Sequence, residues 1–162
     1  MRDTQMFSTT ANIQVLDSWE TWATIQLELK HARSVFGWLY LTTQEWLDKF
    51  ISTAERPIII SFIVDDRMTK AMEGACERNP NLTAYRWAKN RTMHDKTLVF
   101  PDTGVTIIQT TNLTKGSYLL AQNRAVRIES RPLSQHLMSE WEDYRRKARL
   151  IRPRKTKESP HT

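Results

Sequence analysis

At 162 residues, with 40% apolar and 26% charged residues, the chain has the size and balance of one globular domain able to bury a sizeable core. No apolar run approaches the ~20 residues that span a bilayer, and the opening Met1-Arg2-Asp3-Thr4-Gln5-Met6 lacks the basic-then-apolar pattern of a secretory signal, so none is expected. A single cysteine, Cys76, excludes an intramolecular disulfide and a cysteine-cluster metal site, reads as a small apolar residue on a helix face, and fits a reducing, cytoplasmic compartment.

The net charge of +6 is unevenly placed. Residues 145–162 hold eight of the 24 Lys/Arg and one of the 18 acids, which leaves 16 bases against 17 acids in the rest. A near-neutral body with a basic C-terminal arm suits a polyanionic partner, but does not separate nucleic acid from anionic lipid.

Residues 1–10 are polar and predict a loose arm. Asn12-Ile13-Gln14-Val15-Leu16 reads as a short strand. Asp17 follows as an N-cap with Glu20 three positions on, ahead of a helix carrying Trp22, Ile25, Leu29 and Ala32 at helical spacing. Residues 36–41 read as a buried strand. Thr43 caps a second helix with Trp46, Leu47, Phe50, Ile51 and Ala54 on its apolar face. After Pro57, residues 58–64 are almost unbroken apolar, the signature of a parallel strand covered on both faces. A helix is predicted over 67–78, ended by Asn79-Pro80-Asn81, and a strand over 82–87. Strands 96–100 and 105–111 flank a turn at Pro101-Asp102-Thr103-Gly104. A last strand spans 125–129, and Pro132 opens a helix with Leu133, Leu137, Trp141 and Tyr144 on one side.

Strands alternating with helices, then a strand-rich stretch, predict an α/β sandwich with a mixed, mainly parallel central sheet flanked by helices. Residues 11–145 form its single domain, with an arm at 1–10 and a basic tail at 146–162. Trp19, Trp22, Trp38, Trp46 and Trp141 fall at core-facing spacing. Trp87 leads into the segment that carries the chemistry.

That segment runs Met93-His94-Asp95-Lys96-Thr97-Leu98-Val99-Phe100-Pro101-Asp102 and on to Gln109-Thr110-Thr111-Asn112. At the mouth of a strand, period two puts His94 and Lys96 on one face. Asn112 ends the next strand and approaches the same point if the two pair. An imidazole, an ammonium and an amide converging there suit a tetrahedral anion: Lys96 and Asn112 to hold phosphate oxygens, His94 to attack phosphorus or move a proton.

This pattern resembles the HxK…D…GSxN signature of the phospholipase D superfamily, and looks closest to the small bacterial endonucleases with one copy per chain. His94, Lys96 and Asp102 follow its order, six residues separate Asp102 from Gln109, and Asn112 falls on the asparagine. The likeness continues through Leu113-Thr114-Lys115 and Asn123-Arg124-Ala125-Val126-Arg127-Ile128, and covers residues 10–145 together with the upstream order of elements. One extra residue lies between Lys96 and Asp102, the Gly-Ser pair becomes Gln109-Thr110, and an acid expected near the last strand, which orients the histidine, becomes Asn123.

The resemblance implies a phospholipase D-like phosphodiesterase that needs no metal or other cofactor and acts as a homodimer. His94 forms a phosphohistidine, the second subunit's histidine handles the leaving group, and Lys96, Asn112 and Thr110 clamp the phosphate. Asp102 is expected to pin the turn and Asn123 to orient the histidine. Arg86, Lys89 and Arg91, with Lys115 and Arg124, are candidates to track a nucleic acid backbone, and Arg127 and Arg131 add to the cationic residues after the motif. His31, His136 and His161 read as structural or solvated. A sequence-tolerant nuclease is the leading expectation. A phospholipid phosphodiesterase is the second, and a non-catalytic nucleic-acid-binding protein on a decayed nuclease fold the third.

Overall fold

The structure, a computed structural model, describes residues 10–87 and 92–153. In chain order these form β1 (Asn12–Asp17), α1 (Ser18–His31), β2 (Ser34–Leu39), α2 (Gln44–Thr53), β3 (Ile59–Asp65), a 3-10 turn (Asp66–Met68), α3 (Thr69–Arg78) and β4 (Leu82–Trp87). There follow β5 (Thr97–Phe100), β6 (Val105–Gln109), a π-helical turn (Gly116–Leu120), β7 (Arg124–Glu129), α4 (Arg131–Lys147) and β8 (Arg149–Leu150). The strands make one sheet in the order β1-β7-β6-β5-β2-β3-β4-β8.

Local chemistry explains the helix starts. Asp17 accepts from the Glu20 amide at 2.8 Å while Glu20 reaches back to the Asp17 amide at 2.9 Å, closing the capping box that the sequence spells. Thr43 caps α2, and Ser130 caps α4 just ahead of Pro132. The alternating side chains of the central strands then divide the core. Val35, Leu39, Ile60, Phe62, Val64 and Leu98 join Ile25, Leu47, Phe50 and Met72 in a large cluster under α1, α2 and α3. Trp38, Ile63 and Val99 point the other way, against Trp141 of α4. No described helix is long and apolar enough to cross a membrane.

The mixed α/β class holds, but the expected mainly parallel sheet is corrected. Only β2–β3 and β3–β4 are parallel; the other pairs run antiparallel. The four-residue turn between β5 and β6 accounts for part of this, because a short connection joins only antiparallel neighbours. Two glycines hold this region. Gly104, at φ 73°, takes a left-handed turn position. At Gly37, a Cβ would lie 2.5 Å from the Thr97 carbonyl oxygen, so β2 and β5 approach this closely only because that Cβ is missing.

Three further corrections follow. The basic tail starts later than residue 146: α4 continues to Lys147, β8 pairs with β4, and the Ile151 amide donates to the Ala84 carbonyl at 2.9 Å. Ile151 is buried in the main core while Leu150 stays exposed, so Ile151 alone anchors this segment among its charged neighbours. Trp19 is 65% exposed, because the buried stripe of α1 runs through Ser18, Thr21, Trp22, Ile25 and Leu29 and leaves Trp19 on its flank. Trp22, Trp38, Trp46 and Trp141 are buried as expected, while Trp87 is half-buried against Tyr144, ring centroids 5.1 Å apart. Finally, the strand expected over 105–111 ends at Gln109, and the π-helical turn and β8 were not foreseen.

Candidate active site

Strand directions gather one end of the sheet. β2 runs parallel to β3 and antiparallel to β5, and β5 antiparallel to β6. The ends of β2, β3 and β6 therefore meet the start of β5, bringing the segments of Tyr40, Asp65, His94, Lys96 and Asn112 together. Asn112-Leu113 is stitched there: the Leu113 amide donates to the Leu41 carbonyl at 3.2 Å, and the Thr42 hydroxyl donates to the Leu113 carbonyl at 2.8 Å.

His94 and Lys96 do meet, by a different route from strand alternation, since both precede β5. Lys96 curls back so that its Nζ donates to the His94 carbonyl at 2.9 Å and lies 3.2 Å from His94 Nδ1. Lys96 is only 8% exposed. Burial pushes its ammonium pKa below the usual lysine range, and nearby Asp95 only partly opposes this. Asn112 is half-buried, and its Oδ1 is enclosed with no hydrogen-bond partner among the described residues.

Around the imidazole stand Tyr40, Asp65 and Arg67, which the motif does not include. The Tyr40 ring centre is 4.3 Å from that of His94, tilted by 50°. Lys96 Nζ lies 5.2 Å and the Arg67 guanidinium carbon 4.6 Å from the Tyr40 ring centre, within cation–π range. Arg67 Nε donates to Asp65 Oδ1 at 2.8 Å, and the Met93 amide donates to Asp65 Oδ2 at 3.1 Å. Burial alone would raise the Asp65 pKa, but hydrogen bonds from the Arg67 side chain and from the Arg67 and Met93 amides hold it below the ordinary carboxylate range. The signal in the sequence was a carboxylate closing an otherwise apolar strand.

His94 itself is exposed, at the edge of a cleft of about 890 Å³ walled by Trp38, Trp87, Met93 and Tyr144 and rimmed by Glu140, Asp143 and Lys147. Among the described residues no group of three or more His, Cys, Asp or Glu is arranged to hold a metal ion.

The remaining candidates make contacts of their own. Asp102 is at the opposite end of β5, where its carboxylate accepts from the Arg33 amide at 2.8 Å and from the amide and hydroxyl of Ser34, both at 3.3 Å. Thr110 and Asn123 bond to each other at 3.3 Å, and the Asn123 amide also donates to the Ser117 carbonyl at 3.0 Å. Gln109 is buried and accepts from the Tyr118 hydroxyl at 3.1 Å. Arg86 pairs with Asp66 at 3.4 Å. Lys115 and Arg124 are exposed. Lys89, Arg91 and His161 lie outside the described residues. Arg127 is turned inward instead, 2.8 Å from buried Glu28, and so braces the fold. Arg131 reaches the Asp102 carbonyl at 3.4 Å. His31 is exposed, and His136 lies 3.8 Å from Glu140.

A family model described as "Cardiolipin synthase, PLD-like domain" matches residues 27–145. A search of curated proteins gave no match. Among solved structures, the chain superposes on a phospholipase D family member, Nuc from Salmonella typhimurium, with a TM-score of 0.75 at 17% identity, covering 88% of this chain and 99% of that one. NucT from Helicobacter pylori gives a TM-score of 0.72 at 16% identity, covering 86% and 99%. Phosphatidylserine synthase from Haemophilus influenzae Rd KW20 gives 0.72 at 15% identity, covering 89% of this chain but 41% of that one. With the family model spanning well over half of its residues, the chain belongs to the phospholipase D superfamily.

Proposed function

We propose that this protein is a nuclease that hydrolyses phosphodiesters of nucleic acid through a phosphohistidine on His94, working as a homodimer. The observation that carries the proposal is the Lys96 ammonium held 3.2 Å from Nδ1 of an exposed imidazole, beside Asn112's segment and at the mouth of a cleft.

An ammonium has only donors, so in this arrangement Nδ1 accepts and the proton of the neutral ring sits on Nε2. That tautomer delivers a proton. Attack requires the Nε2 lone pair, and it becomes available when Lys96 turns its donors to a phosphate oxygen and the ring proton moves to Nδ1. Nε2 then forms the N–P bond while the P–O bond to the leaving oxygen breaks. The partner subunit's His94 supplies the proton to that oxygen, then takes one from water as the hydroxide displaces the histidine. Lys96 and Asn112 oppose the charge that builds on the equatorial oxygens. Basic residues 154–162, with exposed Lys115 and Arg124, favour a nucleic acid partner and predict salt-sensitive binding.

A second reading, a phospholipid phosphodiesterase, is favoured by one feature: Trp19, Leu119 and Leu120 are exposed large apolar side chains, with Leu120 at 79%, and Trp19 and Leu119 share a shallow pocket with Asn123. The deciding experiment offers labelled oligonucleotides and anionic-phospholipid vesicles side by side in chelator. Oligonucleotide cleavage that disappears in His94→Ala supports the nuclease. Lipid cleavage alone supports the second reading. Nucleic acid binding that persists in His94→Ala, with no cleavage by the wild type, returns the protein to the non-catalytic class.

A further inference from the structure

We infer that Tyr40, backed by Arg67 and Asp65, is the positioning device for His94, in place of a carboxylate at position 123; this rests on reading His94 as the reacting group.

An imidazole that must attack and then leave phosphorus needs its ring held throughout. Its Nδ1 neighbour, Lys96, cannot do this alone, because the ammonium is needed by the phosphate once substrate arrives. Asn123 is committed elsewhere, with its side-chain oxygen accepting from Thr110, its side-chain nitrogen donating to the Ser117 carbonyl and its backbone amide donating to Ser18 Oγ at 2.7 Å. Among the described residues, the ring that stands against the imidazole is that of Tyr40, with centres 4.3 Å apart.

Tyr40 follows directly on β2, and the Arg67 guanidinium covers it at 4.6 Å. Arg67 is fixed in turn by Asp65, through Nε at 2.8 Å and its own amide at 3.2 Å. The second oxygen of the same carboxylate accepts from Met93, the residue immediately before His94. One carboxylate, with a side chain only 7% exposed, thus restrains His94 twice: through the backbone that carries it and through the aromatic ring beside it. The contact is between two tilted rings rather than with a proton-accepting oxygen, so it orients the imidazole without occupying Nδ1, which can take up the proton that attack by Nε2 requires once Lys96 turns away.

The test compares Tyr40→Leu, Tyr40→Phe and Arg67→Gln with wild type, by histidine ¹H–¹⁵N spectra of the ring nitrogens and by steady-state cleavage. Arg67 is 56% exposed in its side chain, so its substitution leaves the fold in place even if Tyr40→Leu does not fold. The expected result is that Tyr40→Leu and Arg67→Gln shift and broaden the His94 ring signals. Tyr40→Leu lowers kcat by about 10- to 100-fold with KM changed by no more than about threefold, the pattern of a misplaced reacting group. Tyr40→Phe, which keeps the ring, recovers most of the loss. His94 signals that superimpose on wild type in both Tyr40→Leu and Arg67→Gln would overturn the inference, as would undiminished kcat in Tyr40→Leu. If the wild type cleaves nothing but the ring signals respond as described, the positioning device stands and the nuclease reading falls.

Discussion

Replacing Lys96 with methionine separates what this residue does for the fold from what it does for the reaction. In the resting site its Nζ makes one hydrogen bond to the His94 carbonyl and one contact to Nδ1. A hydrogen bond involving a charged group contributes about 1.5–3 kcal/mol. Against this stands the burial of an ammonium on a side chain 8% exposed, a penalty visible in its lowered pKa. Methionine has similar length and no charge to desolvate, and the bond it removes, to the carbonyl of exposed His94, is only partly buried. The two effects nearly cancel, so stability should change by about 1 kcal/mol or less, roughly 2–4 °C in Tm for a chain of this size. Catalysis should respond very differently. Loss of one preorganised donor to the transition-state oxygens removes about 3–4 kcal/mol, or 10²–10³ in kcat. The assays are a thermal melt and single-turnover cleavage of a labelled oligonucleotide. A collapse of the melt would make Lys96 a structural residue, and cleavage within about threefold of wild type would remove it from the phosphate site; either result refutes the reasoning.

Gly37→Ala should push β2 and β5 apart, because the new Cβ meets the Thr97 carbonyl at 2.5 Å; a loss of about 1–3 kcal/mol in urea unfolding is expected, and an unchanged midpoint would show that the strands have slack. Asp102→Ala removes three hydrogen bonds at the start of β2 and should reduce stability by about 1–2 kcal/mol; kcat per folded molecule should hold, because the site is at the other end of β5. Asp65 has a folded-state pKa below its ordinary value of 3.8, so its stabilising contribution is complete above that pH and is lost as pH falls through the lower, folded value. Wild type should therefore lose stability in acid more steeply than Asp65→Asn, which starts lower at neutral pH; parallel acid limbs would contradict this.

The fold was legible wherever one local signal dominated. The Asp17–Glu20 box, the Thr43 cap and the apolar run of β3 each match a local rule, and each appears in place. Strand direction was not legible from β3 alone, since a buried run fits its two parallel neighbours but says nothing of the antiparallel strands beyond them. Ile151 sits among basic residues, and only the pairing of β8 with the edge of β4 reveals why it folds in. At the candidate site, residue type and order single out His94, Lys96 and Asn112, and the sheet brings their segments to one end. Tyr40, Arg67 and Asp65 are not singled out, because they come from two other strand ends and only the sheet makes them neighbours. Arg127 counts among the cationic residues after the motif, and its pairing is not legible because its partner, Glu28, lies 99 positions away on α1.

The central claim is that His94 is the group that becomes bonded to phosphorus, and trapping that bond tests it most directly. Wild type and His94→Ala, mixed briefly with a ³²P-labelled oligonucleotide in EDTA and quenched in alkali, should differ in one respect. The wild type should carry acid-labile, alkali-stable label on a peptide containing residue 94, and the variant none. Label of equal amount in both proteins, or cleavage by the wild type that begins only when magnesium is restored, would contradict the account.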